Sequence, residues 1–478
     1  MAVVTKVEHH SVEERAAKGR ACRERSPRSG HEGWTPAIDR PDPVALLEEQ
    51  NLTREEDLVP VRHGRMMVSP FTFYRGAAKV MAADLKDTPR AGLVSQLCGD
   101  AHLSNFGLFG SPERTLLFDL NDFDETLPGP FEYDVKRMSA SFTIAARNNA
   151  FTAEEVRDVT LAAVRSYREA MAEFAQMRTL DIWYARLSEE QLMDALDLAV
   201  QTQKGKALKK AQRRVEAARR NVDKARTRDS LQALSKLAEL VDGQYRIVSQ
   251  PPIVVPLREL EAAYGMSAEE AGPALREMLR AYRATLPPDR RQLLERFEVV
   301  DVARKVVGVG SVGTRAFIVL LQGRDRQDPL FLQVKEATRS VLEDHLPKSR
   351  FRQPGERVVQ GQRMMQAASD IFLGWTKGVQ DNRYLYWRQL RDMKGSAVVE
   401  GMKPLAMMFY ANACGWTLAR AHARSGDPVA IAAYLGKNDT FDRSITDFSK
   451  RYADQNERDY EAFAKAIRSG RLQAVDGL

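Results

Sequence analysis

Apolar residues recur every three to four positions over most of the chain, which is the spacing of one face of an α-helix. One helical region precedes residue 90, a longer one begins at residue 131, and a third follows residue 400. The predicted helices cover residues 70–86, 131–148, 152–178, 188–203, 204–241, 257–297, 355–370, 403–423, 428–435 and 443–468. The chain is therefore predicted to be mainly helical, with a break at 250–256.

The pattern changes across residues 299–337, where apolar and β-branched residues form short runs separated by turn residues. Such runs are typical of β-strands joined by hairpins. Further strands are predicted at 93–97 (LVSQL) and 384–390 (YLYWRQL). The sequence thus predicts an α+β protein in which a small antiparallel β-rich segment interrupts the helices.

Composition predicts a folded chain with a charged tail. Hydrophobic residues make up 44% of the 478 positions, which is enough for a sizeable core. No apolar run reaches the length of a membrane span, so no membrane partner is expected. Residues 1–45 are rich in charge and contain Gly and Pro, and we predict that they are mostly disordered.

The cysteines and the N-terminus predict a cytoplasmic protein. Cys22, Cys98 and Cys414 are far apart and odd in number, which argues against a disulfide framework or a zinc site. The first thirty residues lack the apolar core of a signal peptide. The net charge of +7 favours anionic ligands without distinguishing nucleotides, nucleic acids and acidic surfaces.

The strongest candidate chemistry lies in the segment CGDAHLSNFG at 98–107 and in LFDLNDFD at 117–124. Asp100 precedes Asn105 by five residues, and a short hairpin leads to the second acidic segment. This is the spacing of a kinase catalytic loop, in which one carboxylate deprotonates an attacking hydroxyl. An Asn and a second Asp then hold the Mg²⁺ that bridges the nucleotide phosphates. Asp100 is therefore the candidate base and Asn105 a candidate metal ligand.

A candidate phosphate-binding turn follows some two hundred residues later, in VVGVGSVGTRAFIVLL. Its residues Gly308, Gly310, Ser311 and Gly313 lie between two β-rich runs, and LFLQVKEA places Lys335 on the next strand. Glycines let backbone amides approach phosphate oxygens, and a lysine on a strand pairs with the phosphates. The strand–turn–strand context favours a kinase loop over a dinucleotide-binding motif.

The order of these parts predicts a circularly permuted, protein-kinase-like fold with two lobes. The catalytic segment comes first and the nucleotide lid last, although both must face one cleft. We predict a mainly helical large lobe that contains the catalytic and metal-binding segments at 46–298. A β-rich nucleotide lid at 299–398 follows, and helices at 399–478 complete the helical lobe.

The segment from Gly99 to Asp134 resembles the aminoglycoside phosphotransferase and choline kinase branch of the protein-kinase-like fold. Those families carry a G-D-x-H-x-x-N loop, a strand ending in an Asp, and a helix that starts with Y-D, which correspond here to GDAHLSN, DFDE and EYDVKR. Most of the chain is also similar to an uncharacterised bacterial family, domain of unknown function 2252. One departure is Cys98, where the phosphotransferases usually have His.

The resemblance implies roles for the acidic residues. The interval from Asp122 to Asp134 reproduces that between the metal-binding Asp and the helix-anchoring Asp of the phosphotransferases. Asp119, fourteen residues after Asn105, fits the kinase interval instead. Asp122 is therefore the first candidate for the second metal ligand, Asp119 the second, and Asp124 a third carboxylate, while Asp134 is expected to anchor the loop.

Three further candidates complete the predicted site. His102 belongs to the catalytic loop, where we expect it to brace the loop by hydrogen bonds. Glu356, twenty-one residues after Lys335, is the candidate carboxylate partner of that lysine, with a role at the helix start as the alternative. The basic stretch 204–228 lacks aromatic residues, so a solvated helix face is favoured over nucleic-acid binding.

These features predict an ATP- and Mg²⁺-dependent phosphotransferase that acts on a hydroxyl of a small molecule or protein. A nucleotide-binding, pseudokinase-like regulator and a relative that transfers AMP are the alternatives. A basic nucleic-acid-associated protein is a weaker alternative. The sequence does not identify the acceptor, and it leaves open the oligomeric state.

Overall fold

A computed structural model describes residues 8–201, 205–260, 268–306, 308–378, 383–390 and 393–475. The predicted α+β class is confirmed. The helices are α1 Val12–Arg25, α2 Pro43–Asn51, α3 Val59–Met67, α4 Pro70–Gly76, α5 Ala78–Leu85, α6 Phe131–Asn148, α7 Ala153–Phe174, α8 Thr179–Tyr184, α9 Glu189–Gln201, α10 Gly205–Arg226, α11 Ser230–Leu237, α12 Ala268–Arg283, α13 Pro288–Leu294, α14 Pro354–Met365, α15 Pro404–Ser425, α16 Pro428–Leu435 and α17 Thr440–Arg468. The strands are β1 Val94–Leu97, β2 Phe106–Gly110, β3 Leu116–Leu120, β4 Leu127–Pro130, β5 Leu187–Ser188, β6 Ala238–Val241, β7 Gln244–Ile247, β8 Val254–Pro256, β9 Glu298–Lys305, β10 Ala316–Gln322, β11 Pro329–Glu336, β12 Gly374–Lys377, β13 Tyr384–Gln389 and β14 Gly395–Ser396.

A six-stranded antiparallel sheet in the order β12-β13-β11-β10-β9-β8 forms the β-rich part of the molecule. Alternate residues of a strand point to opposite faces. Val319 and Leu321 of β10 accordingly pack under α12 and α13, where the ring of Tyr282 stacks on Trp387 at 4.5 Å. Ile318, on the other face, packs against α11. Both faces of the sheet are therefore covered at its centre.

The helical part of the molecule is organised around α6, α7, α15 and α17, whose apolar faces form the largest core cluster. The short antiparallel pair β1–β4 lies against α6 and α15. Its register pairs Leu97 with Leu127, so the loop after β1 lies next to the segment that precedes β4. These are the two segments in which the sequence predicts the catalytic and metal-binding residues.

The predicted disorder of residues 1–45 is wrong for most of this segment. Helix α1 begins with a capping box between Ser11 and Glu14 and packs against α16. Arg23 donates to the carbonyl of Tyr434 at 2.9 Å, near the C-terminal end of α16. Because Arg23 binds a backbone carbonyl of α16, the high charge of the segment does not prevent its docking. Residues 1–7 of the prediction lie outside the described residues.

Several elements differ from the predicted helices in detail. The stretch predicted to be helical to residue 241 ends instead in the hairpin β6–β7, whose turn residues Asp242 and Gly243 both have positive φ. An Asp-Gly pair favours such a turn, and this signal was overlooked. The predicted break at 250–256 contains β8, an edge strand that tolerates proline because one side needs no partner. The predicted helix 70–86 is divided into α4 and α5 at Ala77.

No helix among the described residues is both long and apolar enough to cross a membrane. Cys22, Cys98 and Cys414 are buried free thiols.

Candidate active site

A cleft between the six-stranded sheet and the catalytic segment contains two adjoining cavities of about 370 and 340 Å³, which share Asp100, Asp122, Gly310 and Ser311. We call the larger one the acidic cavity, because its charged lining residues are mostly carboxylates: Glu49, Asp100, Asp122, Asp124, Glu125, Glu336 and Asp344, against Arg54, Lys79 and Arg339. The smaller one is the basic cavity, where Asp100 and Asp122 face Arg75, Lys305, Lys335, Arg388 and Lys394. A ligand that fills the cleft would therefore contact mainly basic side chains in the basic cavity and mainly carboxylates in the acidic cavity.

The loop that carries Asp100 is fixed by backbone contacts. Gly99 has a φ of +84°, and a Cβ built on it would lie 2.2 Å from the carbonyl oxygen of Glu125, so only glycine fits there. Asp134, in the first turn of α6, accepts hydrogen bonds from the amides of Cys98 at 2.8 Å and Gly99 at 3.1 Å. Asp134 thus holds the loop, which is the contact that its predicted anchoring role requires.

The side chain of Asp100 is held by Arg137 and lies where the two cavities meet. The Nε of Arg137 donates to Asp100 Oδ1 at 2.7 Å, and its Nη2 donates to the carbonyl of Tyr74 at 2.8 Å. Burial raises the pKa of Asp100, while the charge of Arg137 opposes this shift. A carboxylate with a raised pKa and a fixed orientation is suited to accept a proton.

Asn105 and Asp122 lie together on the edge of the basic cavity. The Nδ2 of Asn105 donates to the backbone carbonyl of Asp100 at 2.8 Å, so its amide oxygen is the atom that it can offer to a cation. Asp122 accepts the amide of Asp124 at 3.2 Å and lines both cavities. The structure therefore brings together the candidate base and two oxygen donors of the kind that Mg²⁺ prefers.

Lys335 reaches into the same cleft from β11, whose residues Phe331, Gln333 and Lys335 share one face. Its Nζ forms an ion pair with Asp124 Oδ2 at 2.6 Å, and the hydroxyl of Tyr386 donates to Asp124 Oδ1 at 2.6 Å. Burial favours the neutral form of Asp124, but Lys335 and Tyr386 outweigh it and keep the pKa of this carboxyl below its usual value. Both oxygens of Asp124 are thus engaged by the sheet.

Asp119 lies away from the cleft. It is 1% exposed, forms a buried ion pair with Arg420 of α15, and accepts the amide of Ala367 at 2.9 Å. The amide of Leu120 donates to its other oxygen at 2.9 Å. Asp119 lines neither cavity, so of the two alternatives only Asp122 lies in the cleft.

The glycine-rich turn covers the cleft and is held by hydrogen bonds to the segment that follows α2. Gly308, Gly310 and Ser311 line the basic cavity. Gly313, with a φ of +86°, does not line it, and the amide of Glu55 donates to its carbonyl at 2.7 Å. Arg54 donates to the carbonyls of Gly310, at 2.9 Å, and Val312. These contacts fix the turn against the segment that follows α2.

Of the two remaining candidates, His102 lies in the cleft and Glu356 lies outside it. His102 lines the basic cavity, with its Nε2 3.8 Å from Asp100 Oδ2, and burial lowers its pKa well below the usual value. The expected bracing hydrogen bonds are not seen among the described residues, because Nδ1 is buried without a partner and Nε2 is too far from Asp100 for a hydrogen bond. Glu356 is half-buried in the first turn of α14 and lines neither cavity, and the recorded ion pair of Lys335 is with Asp124.

Sequence reasoning missed most of the basic residues of the site. Arg357, next to Glu356, donates to the carbonyls of Asp124 at 2.8 Å and Thr126 at 2.6 Å, and so ties α14 to the acidic segment. The charge of Arg388, followed by burial, lowers the pKa of Lys394 to about 7. This repulsion between cations marks a cavity with excess positive charge. Several of these basic residues lie near the ends of strands, and this pattern was the signal in the sequence that could have identified them.

The basic helix α10 packs through an apolar face. Val215 and Val222 are buried in a cluster with residues of α9 and β3, and Arg219 and Arg226 form ion pairs with acidic residues of α9. Two of its arginines are therefore already neutralised, which weakens the case for a nucleic-acid surface.

Comparison with known families yields one match, to the family described as an uncharacterized protein conserved in bacteria (DUF2252), over residues 54–466. The matched region includes the catalytic segment, the glycine-rich turn and Lys335. No curated protein and no solved structure matches the chain.

Proposed function

We propose a function for this chain, which belongs to the bacterial family of uncharacterized proteins DUF2252: an ATP- and Mg²⁺-dependent phosphotransferase that acts on a hydroxyl group. One observation carries the proposal. Asp100, Asn105, Asp122 and Lys335 line a single cavity under the glycine-rich turn, although Lys335 follows Asp100 by more than two hundred residues. A kinase needs this combination of base, metal ligands and phosphate-binding lysine.

A circularly permuted kinase-like fold is part of the proposal. The strands β9 and β10 flank the glycine-rich turn, β11 carries Lys335, and α14 follows. This is the order of the glycine-rich loop, lysine strand and helix in a kinase small lobe. The catalytic loop normally comes after these parts, whereas here it precedes them. The pairing of β11 with β10 and β13 supports the comparison, because it places the lysine on an inner strand.

The chemistry assigned to the residues is an in-line phosphoryl transfer. Asp100, oriented by Arg137, accepts the proton of the acceptor hydroxyl as the acceptor oxygen bonds to the γ-phosphorus of ATP. The bond between the γ-phosphorus and the bridging oxygen breaks, and its electron pair leaves with ADP. Lys335 and the amides of the glycine-rich turn hold the phosphates in position.

Asn105 and Asp122 fit a magnesium site that is completed by the nucleotide. In the part of the chain that the structure describes, no three His, Cys, Asp or Glu side chains are arranged to hold a metal ion by themselves. Mg²⁺ commonly uses one or two protein carboxylates together with phosphate oxygens and water. Bound there, the ion would neutralise the charge on the phosphates. Asp119 does not fit, since its oxygens are taken by Arg420 and backbone amides.

We expect MgATP to raise the thermal midpoint of the protein. A ligand at 100 times its Kd stabilises the native state by about 2.7 kcal/mol. Lys335→Ala should reduce this shift, because the phosphates lose their main cationic partner. The absolute midpoint of Lys335→Ala should also fall, since Asp124 loses its counter-charge. The measurement is therefore the difference between midpoints with and without nucleotide.

The matched control is Lys236→Ala, at an exposed position in the last turn of α11. It should leave the shift unchanged. The absence of any shift with millimolar ATP, GTP, CTP or UTP and Mg²⁺ would reject every nucleotide-based function.

Transfer of label from ATP separates the enzymatic alternatives. We expect label from γ-labelled ATP, and none from α-labelled ATP, to appear on an acceptor supplied by a bacterial extract. Transfer from the α position would identify AMP transfer. Nucleotide binding without either transfer, across extracts and with water as acceptor, would instead support a pseudokinase-like regulator.

A further inference from the structure

We infer that Arg75 is a catalytic residue that binds the phosphoryl group during its transfer. This inference rests on the proposed phosphotransferase function and adds a residue to its machinery. Arg75 lies in the last turn of α4 and lines the basic cavity together with Asp100, His102 and Asn105. A Cβ built on Gly310 would lie 3.4 Å from the carbonyl oxygen of Arg75, so the end of α4 lies directly against the glycine-rich turn.

The guanidinium of Arg75 has no polar partner within the described residues. Its Nε is buried without a hydrogen bond, and no ion pair of the described residues involves it. Its one recorded ring contact is with Phe71, at 6.0 Å from the ring centroid. The Arg75 side chain is half-buried, so its guanidinium loses part of its hydration and gains no hydrogen bond or ion pair in return. Such an arrangement is expected where the missing partner is a ligand.

The neighbouring arginine shows what a structural role looks like. Arg137 donates to Asp100 and to the carbonyl of Tyr74, and its guanidinium lies 3.8 Å from the centroid of the Tyr74 ring. Asp100 therefore already forms an ion pair, with Arg137. Although the charges of Glu400 and Asp100 act on Arg75, neither carboxylate forms an ion pair with it among the described residues. Arg75 remains available to an anion in the cavity.

The position of Arg75 indicates which anion this is. The donor phosphates are expected near Lys335 and Gly308, on the sheet side of the basic cavity. Arg75 approaches from the helical side, beside the base Asp100, where the acceptor oxygen must attack. The group between these two sides is the phosphoryl group in transfer, on which negative charge is spread in the transition state. An arginine fork suits its equatorial oxygens.

The test uses Arg75→Met, which keeps an unbranched stem but removes the charge, together with Arg75→Lys and the control Arg147→Met. Arg147 is a half-buried residue at the end of α6, away from the cleft, where it pairs with Asp454 and Glu457. Two measurements are made on the full chain. The first is phosphate release from MgATP with water as the acceptor. The second is the thermal midpoint with MgADP, with and without aluminium fluoride, which mimics the transferring phosphoryl group.

We expect Arg75→Met to lower phosphate release by about 10³-fold or more, the range found for arginines that act on the transition state. The midpoint without ligand should stay unchanged or rise, because a half-buried cation without a hydrogen bond or ion pair is removed. The shift with MgADP should persist, while the additional shift with aluminium fluoride should disappear. Arg75→Lys should restore only part of the rate, because an ammonium lacks the planar fork.

The outcomes distinguish the inference from the function on which it rests. If wild type binds MgADP and releases phosphate, and Arg75→Met does both equally well, the inference is overturned and the phosphotransferase proposal stands. A fall in the midpoint of Arg75→Met together with loss of its MgADP shift would show a structural role and overturn the inference. If wild type neither binds nor hydrolyses nucleotide, the proposed function fails and the inference fails with it.

Discussion

Asp100→Asn is expected to lower phosphoryl transfer by about 10²–10⁴-fold, the usual contribution of a positioned general base. The amide has nearly the same shape and can still accept the hydrogen bond that Arg137 Nε now donates at 2.7 Å. It cannot accept a proton at neutral pH. The side chains of Asn105 and Asp122 are untouched, so MgATP should still raise the thermal midpoint by nearly its wild-type amount.

The buried charge of Arg137 complicates this variant. Removing its counter-charge should lower the midpoint without ligand, since a buried cation is left with less compensation. Binding is therefore judged from the shift that MgATP causes. Asp158→Asn, on the exposed face of α7, is the matched control and should change neither quantity. Undiminished transfer by Asp100→Asn would remove Asp100 as the base.

The sequence predicted the parts of the site that are set by local geometry. Asp100 and Asn105 lie in one loop, and the conformation of this loop follows from Gly99 and its neighbours. The glycine-rich turn was equally recognisable, because it lies between two strands that pair with each other. In both segments, residues that act together lie close in the chain.

The sequence did not predict in the same way which side chains form ion pairs across the fold. Asp119 and Asp122 have the same side chain and lie three residues apart, but Asp119 meets Arg420 from α15, three hundred residues later. Likewise, Lys335 pairs with Asp124 and not with Glu356, because the segment before β4 lies under the end of β11. Spacing along the chain carries no information on such contacts, which depend on how distant helices and strands pack.

The contacts of the arginines likewise depend on the packing of distant elements and not on spacing along the chain. On the sequence, Arg75, Arg137 and Arg357 are ordinary basic residues within helical patterns, which most often form solvated faces. In the fold, Arg137 neutralises Asp100, Arg357 binds backbone carbonyls, and Arg75 faces a cavity. The same side chain thus pairs with a carboxylate, joins two segments or lines a cavity, according to what lies opposite it.

Alanine substitutions at Asp119 and Asp122 are expected to have opposite consequences, and the pair forms its own control. Asp119→Ala leaves Arg420 buried without its counter-charge and also removes the acceptor of the amides of Leu120 and Ala367. Breaking a buried ion pair in this way typically costs about 3–5 kcal/mol of folding free energy. The midpoint of Asp119→Ala without ligand should therefore fall markedly, and the remaining folded protein should still require Mg²⁺ for its ATP-induced shift.

Asp122→Ala should change the midpoint much less than Asp119→Ala, because Asp122 forms no ion pair among the described residues, and its attraction to Lys335, Arg388 and Lys394 is offset in part by its repulsion of Asp100. The ATP-induced shift should instead lose its dependence on Mg²⁺, since one of the two oxygen donors is gone. Thermal scans of both variants with ATP, over a series of Mg²⁺ concentrations, measure the two effects together. The assignment would be reversed if Asp119→Ala stayed stable and its ATP-induced shift no longer depended on Mg²⁺. Asp119 would then be the metal ligand, in place of Asp122.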